Sequence, residues 1–225
     1  MSSEKDTRKT TAKEIAKILL ETNVVLINAQ NPFVYVSGTI SPIYCDLRLL
    51  MAFPKERDRI VDLLTSAIHG TEDVGNIDVI VGVATAGNHW AAWVAKALGK
   101  PMAYVRDAAK DHGRQQRIEG GVKVGQRAWV FEDLTSTGAS AISAALALRE
   151  IGATVDFIFS VFTYEFSQTA ATFADAGVRL VTLCGITDLL EVAHAQGSIS
   201  DDEERIVREW VKKGPVVATR VDQTA

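Results

Sequence analysis

Residues 128–140 read Ala-Trp-Val-Phe-Glu-Asp-Leu-Thr-Ser-Thr-Gly-Ala-Ser. An apolar run (Val130, Phe131) meets two adjacent carboxylates, Glu132 and Asp133. A loop of hydroxyls and small residues follows, made of Thr135, Ser136, Thr137, Gly138, Ala139 and Ser140, and then an alanine-rich apolar stretch to Ile151. Strand, acidic pair, small loop and helix is the order of an α/β unit that binds its ligand at the carboxyl end of the strand. The first N–H groups of a helix lack intrahelical partners and lie at the positive end of its dipole. A phosphate there can take those groups together with the loop hydroxyls, and Gly138 lets the backbone approach closely. Carboxylates repel phosphate, so Glu132 and Asp133 are expected to face something else, such as sugar hydroxyls. The same residues also suit an ordinary strand-to-helix turn with Ser140 as its N-cap. No Gly-Lys-Ser/Thr follows, so the loop is not of the Walker type.

Outward from this segment the chain alternates. A continuous apolar run, 79–83, predicts a strand buried on both faces. Helix 88–98, strand 102–105, strand 128–131, helix 140–151, strand 154–162, helix 167–176 and strand 179–183 continue the rhythm. Such alternation implies a mostly parallel sheet with helices on both faces. Before it, an amphipathic helix over 11–21 carries Ile15, Ile18, Leu19 and Leu20. A Pro-started helix spans 54–68. Between them, 24–46 is broken by Asn31-Pro32, Ser37-Gly38 and Ser41-Pro42 and predicts a small irregular β-rich hood. The tail, 200–213, predicts a helix capped by acidic residues, with Ile206, Val207 and Trp210 on one side.

The 225 residues are 47% hydrophobic, enough for one full core, so a single domain over 1–225 is expected, with the hood formed largely by about 24–50. A net charge of −4 argues against nucleic acid as a partner. No apolar run approaches the roughly 20 residues of a membrane span, and the polar N-terminus resembles no signal peptide. Cys45 and Cys184 are far apart in apolar contexts and are read as free thiols of a cytoplasmic protein. No Cys/His spacing suits zinc.

Two further segments reach the carboxyl edge of the expected sheet. Thr85, Ala86 and Gly87 follow the first strand and form a second small-residue loop before a helix, suited to a diphosphate or simply to a tight turn. Residues 106–117 hold Arg106, Lys110, Arg114 and Arg117 against Asp107 and Asp111, with His112 able to add charge. This basic segment suits either a lid that neutralises an anionic leaving group or a solvated surface loop.

The segment 130–140 resembles the 5-phosphoribosyl 1-diphosphate (PRPP) signature of type I phosphoribosyltransferases. Arg106, Lys110 and His112-Gly113 resemble the loop of the orotate-using branch of that family. Residues 37–48, Ser-Gly-Thr-Ile-Ser-Pro-Ile-Tyr-Cys-Asp-Leu-Arg, are similar to its N-terminal motif. The resemblance covers about residues 12–213, including Phe162-Thr163-Tyr164 and the tail ending at Trp210. It implies transfer of a ribose 5-phosphate group from PRPP to orotate, with Mg²⁺ carried by the substrate rather than by direct protein ligands. It assigns the ribose hydroxyls to Asp133 and Glu132 and the 5′-phosphate to residues 135–140. The diphosphate falls to Thr85, Ala86, Gly87 and Arg106, and leaving-group stabilisation to Lys110 and His112 on a lid that reaches the partner subunit of a homodimer. The base is assigned to Phe33, Ser41, Tyr44, Arg48 and Thr137, with Arg48 matching a carboxylate bidentately. Two positions depart from the pattern: Ile40 stands where the motif usually has Lys, and Asp107 where the loop usually carries a second basic residue. The alternatives are a transferase for adenine or xanthine and a non-catalytic PRPP-binding regulator.

Overall fold

The computed structural model describes residues 2–35, 38–71, 77–107 and 117–217. The chain opens with helix α1 (Ser2–Glu21) and the short strands β1 (Val25–Ile27), β2 (Phe33–Val34), β3 (Thr39–Ser41) and β4 (Ile43–Cys45). A 3₁₀ helix (Leu47–Ala52) then leads into α2 (Pro54–His69). Next come β5 (Val79–Val83), α3 (Gly87–Leu98), β6 (Met102–Val105), β7 (Ile118–Glu119), β8 (Arg127–Thr135) and α4 (Ala139–Glu150). The chain ends in β9 (Thr154–Thr163), α5 (Ser167–Asp175), β10 (Arg179–Gly185), α6 (Ile186–Ala195), α7 (Asp201–Lys213) and β11 (Val216–Val217).

The central sheet has the strand order β10-β9-β8-β5-β6-β7, parallel except for the β6–β7 pair at one edge. Successive side chains of a strand point to opposite faces, and the two cores follow that alternation. Val79, Val81, Val83, Ala128 and Val130 pack with α4 and with Phe173 of α5. Ile80, Trp129, Phe131, Phe157 and Phe159 face the other way, under α1, α2, α3 and α6. On that side Phe159 stacks with Trp129 and with Phe131 at 5.1 Å in each case. With both faces covered, the middles of the central strands are apolar runs, such as Val79–Val83 and Ala128–Phe131, as a buried parallel sheet requires. The expected α/β architecture with helices on both faces is the observed one. No helix among the described residues is long and apolar enough to cross a membrane.

Several boundaries differ from the sequence expectation, each for a tertiary reason. β8 runs on to Thr135, because β9 pairs beside it through Glu132↔Ser160 and Thr135↔Thr163. The acidic pair therefore lies within the strand rather than after it. Helix α4 starts at Ala139 with Gly138 as N-cap (φ 86) and no side-chain cap, so Ser140 is not the cap. The alternation continues past β10 into α6, whose Ile186, Leu189, Leu190 and Ala193 are buried. The polar stretch after β6 contains β7, antiparallel to it. In the hood β1 pairs with β4, while β2 and β3 form a sheet joined by a third strand, β11, from the far end of the chain. The acidic cap of α7 is a capping box, Ser200 Oγ accepting from Glu203 N at 3.3 Å and Glu203 Oε2 accepting from Ser200 N at 2.9 Å.

Candidate active site

Three strand ends, those of β5, β6 and β8, bring the sequence-selected residues to one edge of the sheet. At β8 the backbone turns through Ser136, Thr137 and Gly138 into α4. The first helical bond there is from Ile142 N to Gly138 O, which leaves the preceding N–H groups outside the helix ladder. A hollow of about 130 Å³ lies in front of them, lined by Glu132, Leu134, Ser136, Thr137, Gly138, Ala139 and Ser140. Three of the four hydroxyl residues that the sequence analysis singles out, Ser136, Thr137 and Ser140, line it. The fourth, Thr135, is fully buried at the end of β8, and its Oγ1 has no hydrogen-bond partner among the described residues. Its side chain does not line the hollow.

The second loop lies against the first. A Cβ on Gly87 would collide with the Phe131 carbonyl, and one on Gly82 would sit 2.8 Å from the Asn88 Cα. Glycine at 87 lets the start of α3 rest on β8 where Phe131 passes into Glu132, and glycine at 82 lets Asn88 close on β5. Thr85 is exposed there and Ala86 half-buried, and the Ala84–Thr85 peptide is cis. At the third strand end, Arg106 N donates to Arg117 O (2.9 Å) and Arg117 Nε donates to Arg106 O (3.0 Å). Arg117 Nη2 also reaches Ser143 Oγ on α4 at 2.9 Å. The basic segment thus leaves and returns through one clasped pair that extends the β6–β7 ladder. Arg106 Nη1 is buried without a hydrogen-bond partner among the described residues. Ser37, Lys110, His112 and Arg114 lie outside the described residues.

The acidic pair divides. Strand alternation sends neighbouring side chains to opposite sides. Glu132 lines the hydroxyl-loop hollow and feels Asp107, whereas Asp133 feels Arg48 and Asp46 of the hood. Burial, with the nearby charges of Asp133 and Asp107, pushes the Glu132 carboxyl up to about 8. Burial also pushes Asp133 up to about 6, opposed by hydrogen bonds from the Leu134 N–H (2.8 Å) and its own N–H and by the Arg48 charge. Contrary to the sequence expectation, Glu132 shares the phosphate-side hollow.

These raised values make a prediction for the free protein. A carboxyl with a higher folded pKa keeps its proton where the unfolded chain releases it. The associated stability is fully present below pH 4.5 and is lost as pH rises towards 8 for Glu132. Glu132→Gln should remove this loss, so that its advantage over wild type grows from pH 5 to pH 8 and reaches on the order of 2–4 kcal/mol. Urea unfolding midpoints at pH 5, 6, 7 and 8 check this; parallel curves for both proteins would reject it.

The hood supplies the remaining wall. Phe33 and Tyr35 both pack against Tyr44, with ring centroids 5.7 and 5.9 Å apart. Ser41 is fully buried and spent locally, its Oγ donating to Ile43 O (2.6 Å) and accepting from Ile43 N (3.2 Å). Arg48 holds Asp46 with a two-pronged clasp, Nε to Oδ1 at 2.7 Å and Nη2 to Oδ2 at 2.8 Å. A second cavity, about 280 Å³, lies between hood and sheet and is lined by Tyr35, Thr39, Cys45, Leu134, Ser136, Tyr164, Phe166, Trp210 and Pro215. It adjoins the phosphate-side hollow through Leu134 and Ser136. Of the base residues expected from the sequence, Phe33 and Tyr44 back this wall through Tyr35, and Thr137 lines the other hollow. Tyr35, Thr39, Cys45, Tyr164, Phe166 and Trp210 are the additions. Ile40 lies on the face of β3 opposite Thr39 and does not line the cavity.

No known family model matches the chain. It is 44% identical over 204 residues to the orotate phosphoribosyltransferase of Enterococcus faecalis, covering 91% of this chain and 96% of that protein. To the orotate phosphoribosyltransferase of Coxiella burnetii it is 42% identical over 201 residues, covering 89% and 95%. The crystal structure of orotate phosphoribosyltransferase from Aeropyrum pernix superposes with a TM-score of 0.70 at 32% identity, over 83% of this chain and 99% of that one. With such identity sustained along nearly the whole of both chains, and the same fold beneath it, the chain belongs to the orotate phosphoribosyltransferase family.

Proposed function

We propose that the protein transfers the 5-phosphoribosyl group of PRPP to orotate, giving orotidine 5′-phosphate and diphosphate in pyrimidine (UMP) biosynthesis. The observation that carries this reading is the pair of adjoining hollows at one sheet edge, one walled by a helix N-terminus and hydroxyls, the other by aromatic rings. The 5′-phosphate sits on the N–H groups at the start of α4 with Ser136, Thr137 and Ser140. Asp133 accepts hydrogen bonds from the ribose hydroxyls, and Glu132 lies at the phosphate-side hollow where the ribose meets its 5′-phosphate. The loop Thr85-Ala86-Gly87 and Arg106 hold the diphosphate. The planar base enters the aromatic cavity, between Tyr35 and Thr39 on one side and Tyr164 on the other.

The reaction breaks the bond from ribose C1 to a diphosphate oxygen and forms one to an orotate ring nitrogen, which gives up its proton. Positive charge builds on the ribose and negative charge on the departing diphosphate. The protein then needs positioning and charge compensation rather than a covalent nucleophile. Arg106 offers a buried, unspent guanidinium nitrogen for that purpose. Lys110 and His112 would close from the lid, over the site of the partner subunit in a homodimer. Mg²⁺ carried by the substrate would meet Asp133 and Glu132 at this edge, where no group of three or more His, Cys, Asp or Glu side chains among the described residues could hold the ion alone. Bound with the substrate oxygens, it would supply positive charge beside the diphosphate. A cytoplasmic location suits this chemistry.

A spectrophotometric assay with PRPP and Mg²⁺, offering orotate, adenine, xanthine and uracil in parallel, tests the reading. Turnover of orotate alone is expected. Turnover of another base but not orotate would overturn the base assignment, and PRPP binding with no turnover would point to a regulator.

A further inference from the structure

The hood sheet is too small to hold its own place. β2 has two residues, β3 three and β11 two, and ribbons of that size are marginal in water unless packed against something. What it packs against comes from the end of the chain. Helix α7 is seated by its capping box and by the fully buried Val207, and the chain turns at Gly214 (φ 77) to lay Val216 opposite Ile40 and Val217 opposite Thr39.

One residue joins this strap to the site. Trp210 Nε1 donates to the Ile40 carbonyl of β3 at 3.1 Å. Its ring meets Tyr164 edge-on at 5.6 Å and Phe166 at 5.1 Å. Tyr164 passes the contact onward, its hydroxyl lying 3.4 Å from that of Tyr35, which donates to Ile43 O at 2.9 Å. Tyr164 is itself held in place. Glu165 sits in the left-handed region (φ 55), and its Oε2 accepts from Thr187 N (3.0 Å) and Thr187 Oγ1 (2.6 Å) at the start of α6. Trp210, Tyr164 and Tyr35 all line the aromatic cavity.

We propose that Trp210 is a positioning residue for the base: through the Ile40 carbonyl and the Tyr164 ring, it sets the distance between the hood and the carboxyl edge of the sheet. The proposal rests on the assignment of the aromatic cavity to orotate. It predicts a larger effect on the base than on PRPP, whose hollow shares only Leu134 and Ser136 with the aromatic cavity. Trp210→Phe keeps an aromatic ring against Tyr164 and Phe166 and deletes the hydrogen bond, whose net worth corresponds to a rise in KM for orotate of about threefold to tenfold. Trp210→Ala should raise it further, so that the phenylalanine variant shows partial rescue. In both, the Kd of PRPP with Mg²⁺, measured by calorimetry, should stay within about twofold of wild type, because the hydrogen bonds of that hollow are untouched.

An unchanged KM for orotate in both variants, or equal losses for orotate and PRPP, would overturn the proposal. Trp210→Phe carries the test if Trp210→Ala does not fold. Wild type assayed alongside separates the two claims. If wild type fails to use orotate, the base assignment falls and the proposal with it. If wild type uses orotate and the variants match it, the positioning role alone is wrong.

Discussion

Asparagine at position 133 is expected to lower kcat/KM for PRPP by about 10²- to 10³-fold while leaving the fold intact. The side chain is isosteric, and the Leu134 N–H can still donate to its Oδ1. What disappears is the charged acceptor. Hydrogen bonds to a charged group are each worth about 1.5–3 kcal/mol, so two ribose hydroxyls deprived of the carboxylate account for a loss of this size. The effect should fall on activity and spare stability. Burial already pushes the Asp133 carboxyl up to about 6, so its ionised form is a burden on the free protein above that pH. At pH 8 the variant should melt no lower than wild type while turning over far more slowly, as expected when a site residue is placed at a cost to stability. Initial rates with PRPP varied, beside thermal melts, check both halves. A variant within threefold of wild type would mean that Asp133 does not touch the ribose.

Gly138→Ala is expected to be damaging on two counts. Its φ of 86 disfavours any L side chain, and a Cβ there would collide with the ring of Phe173, which is buried in the core beneath α4. The left-handed backbone costs about 1–2 kcal/mol and overpacking a core ring about 1–3 kcal/mol. Because Gly138 is the N-cap of α4, relief by backbone shift moves the N–H groups of the phosphate hollow, and PRPP affinity should fall about 100-fold. Gly177→Ala is the control. Gly177 has φ 61, and a Cβ there would meet nothing within 4 Å, so only the backbone cost applies and kinetics should not change. Equal stability losses in the two variants would show that the Phe173 contact is not decisive.

Much of this site was legible in the chain because its signals are local. Loops of small and hydroxyl residues directly after apolar runs announce the strand ends of β5 and β8, and the basic segment announces a third. Other features were not legible. Ser41 and Arg48 carry the right chemistry for a base site, yet Ser41 is spent on the Ile43 backbone and Arg48 on Asp46, and partner choice is invisible until the bend at Pro42 is built. The neighbours Glu132 and Asp133 read as one acidic unit only while they are thought to follow the strand. Once β9 extends pairing to Thr135, alternation separates them. Trp210 reads as one apolar face of a terminal helix, with nothing to tie it to a carbonyl 170 residues away.

The order of residues along the chain was thus enough to specify the alternating α/β framework, the two small-residue loops and the basic segment between Arg106 and Arg117. Those features follow from burial period and loop composition, which a few consecutive residues express. Only the folded arrangement settled which hydroxyl is buried, which way each carboxylate faces, and that the hood is completed by β11 and held by Trp210. These are contacts between segments distant along the chain, and they exist only after the sheet has brought its carboxyl edge, its hood and its C-terminal helix together.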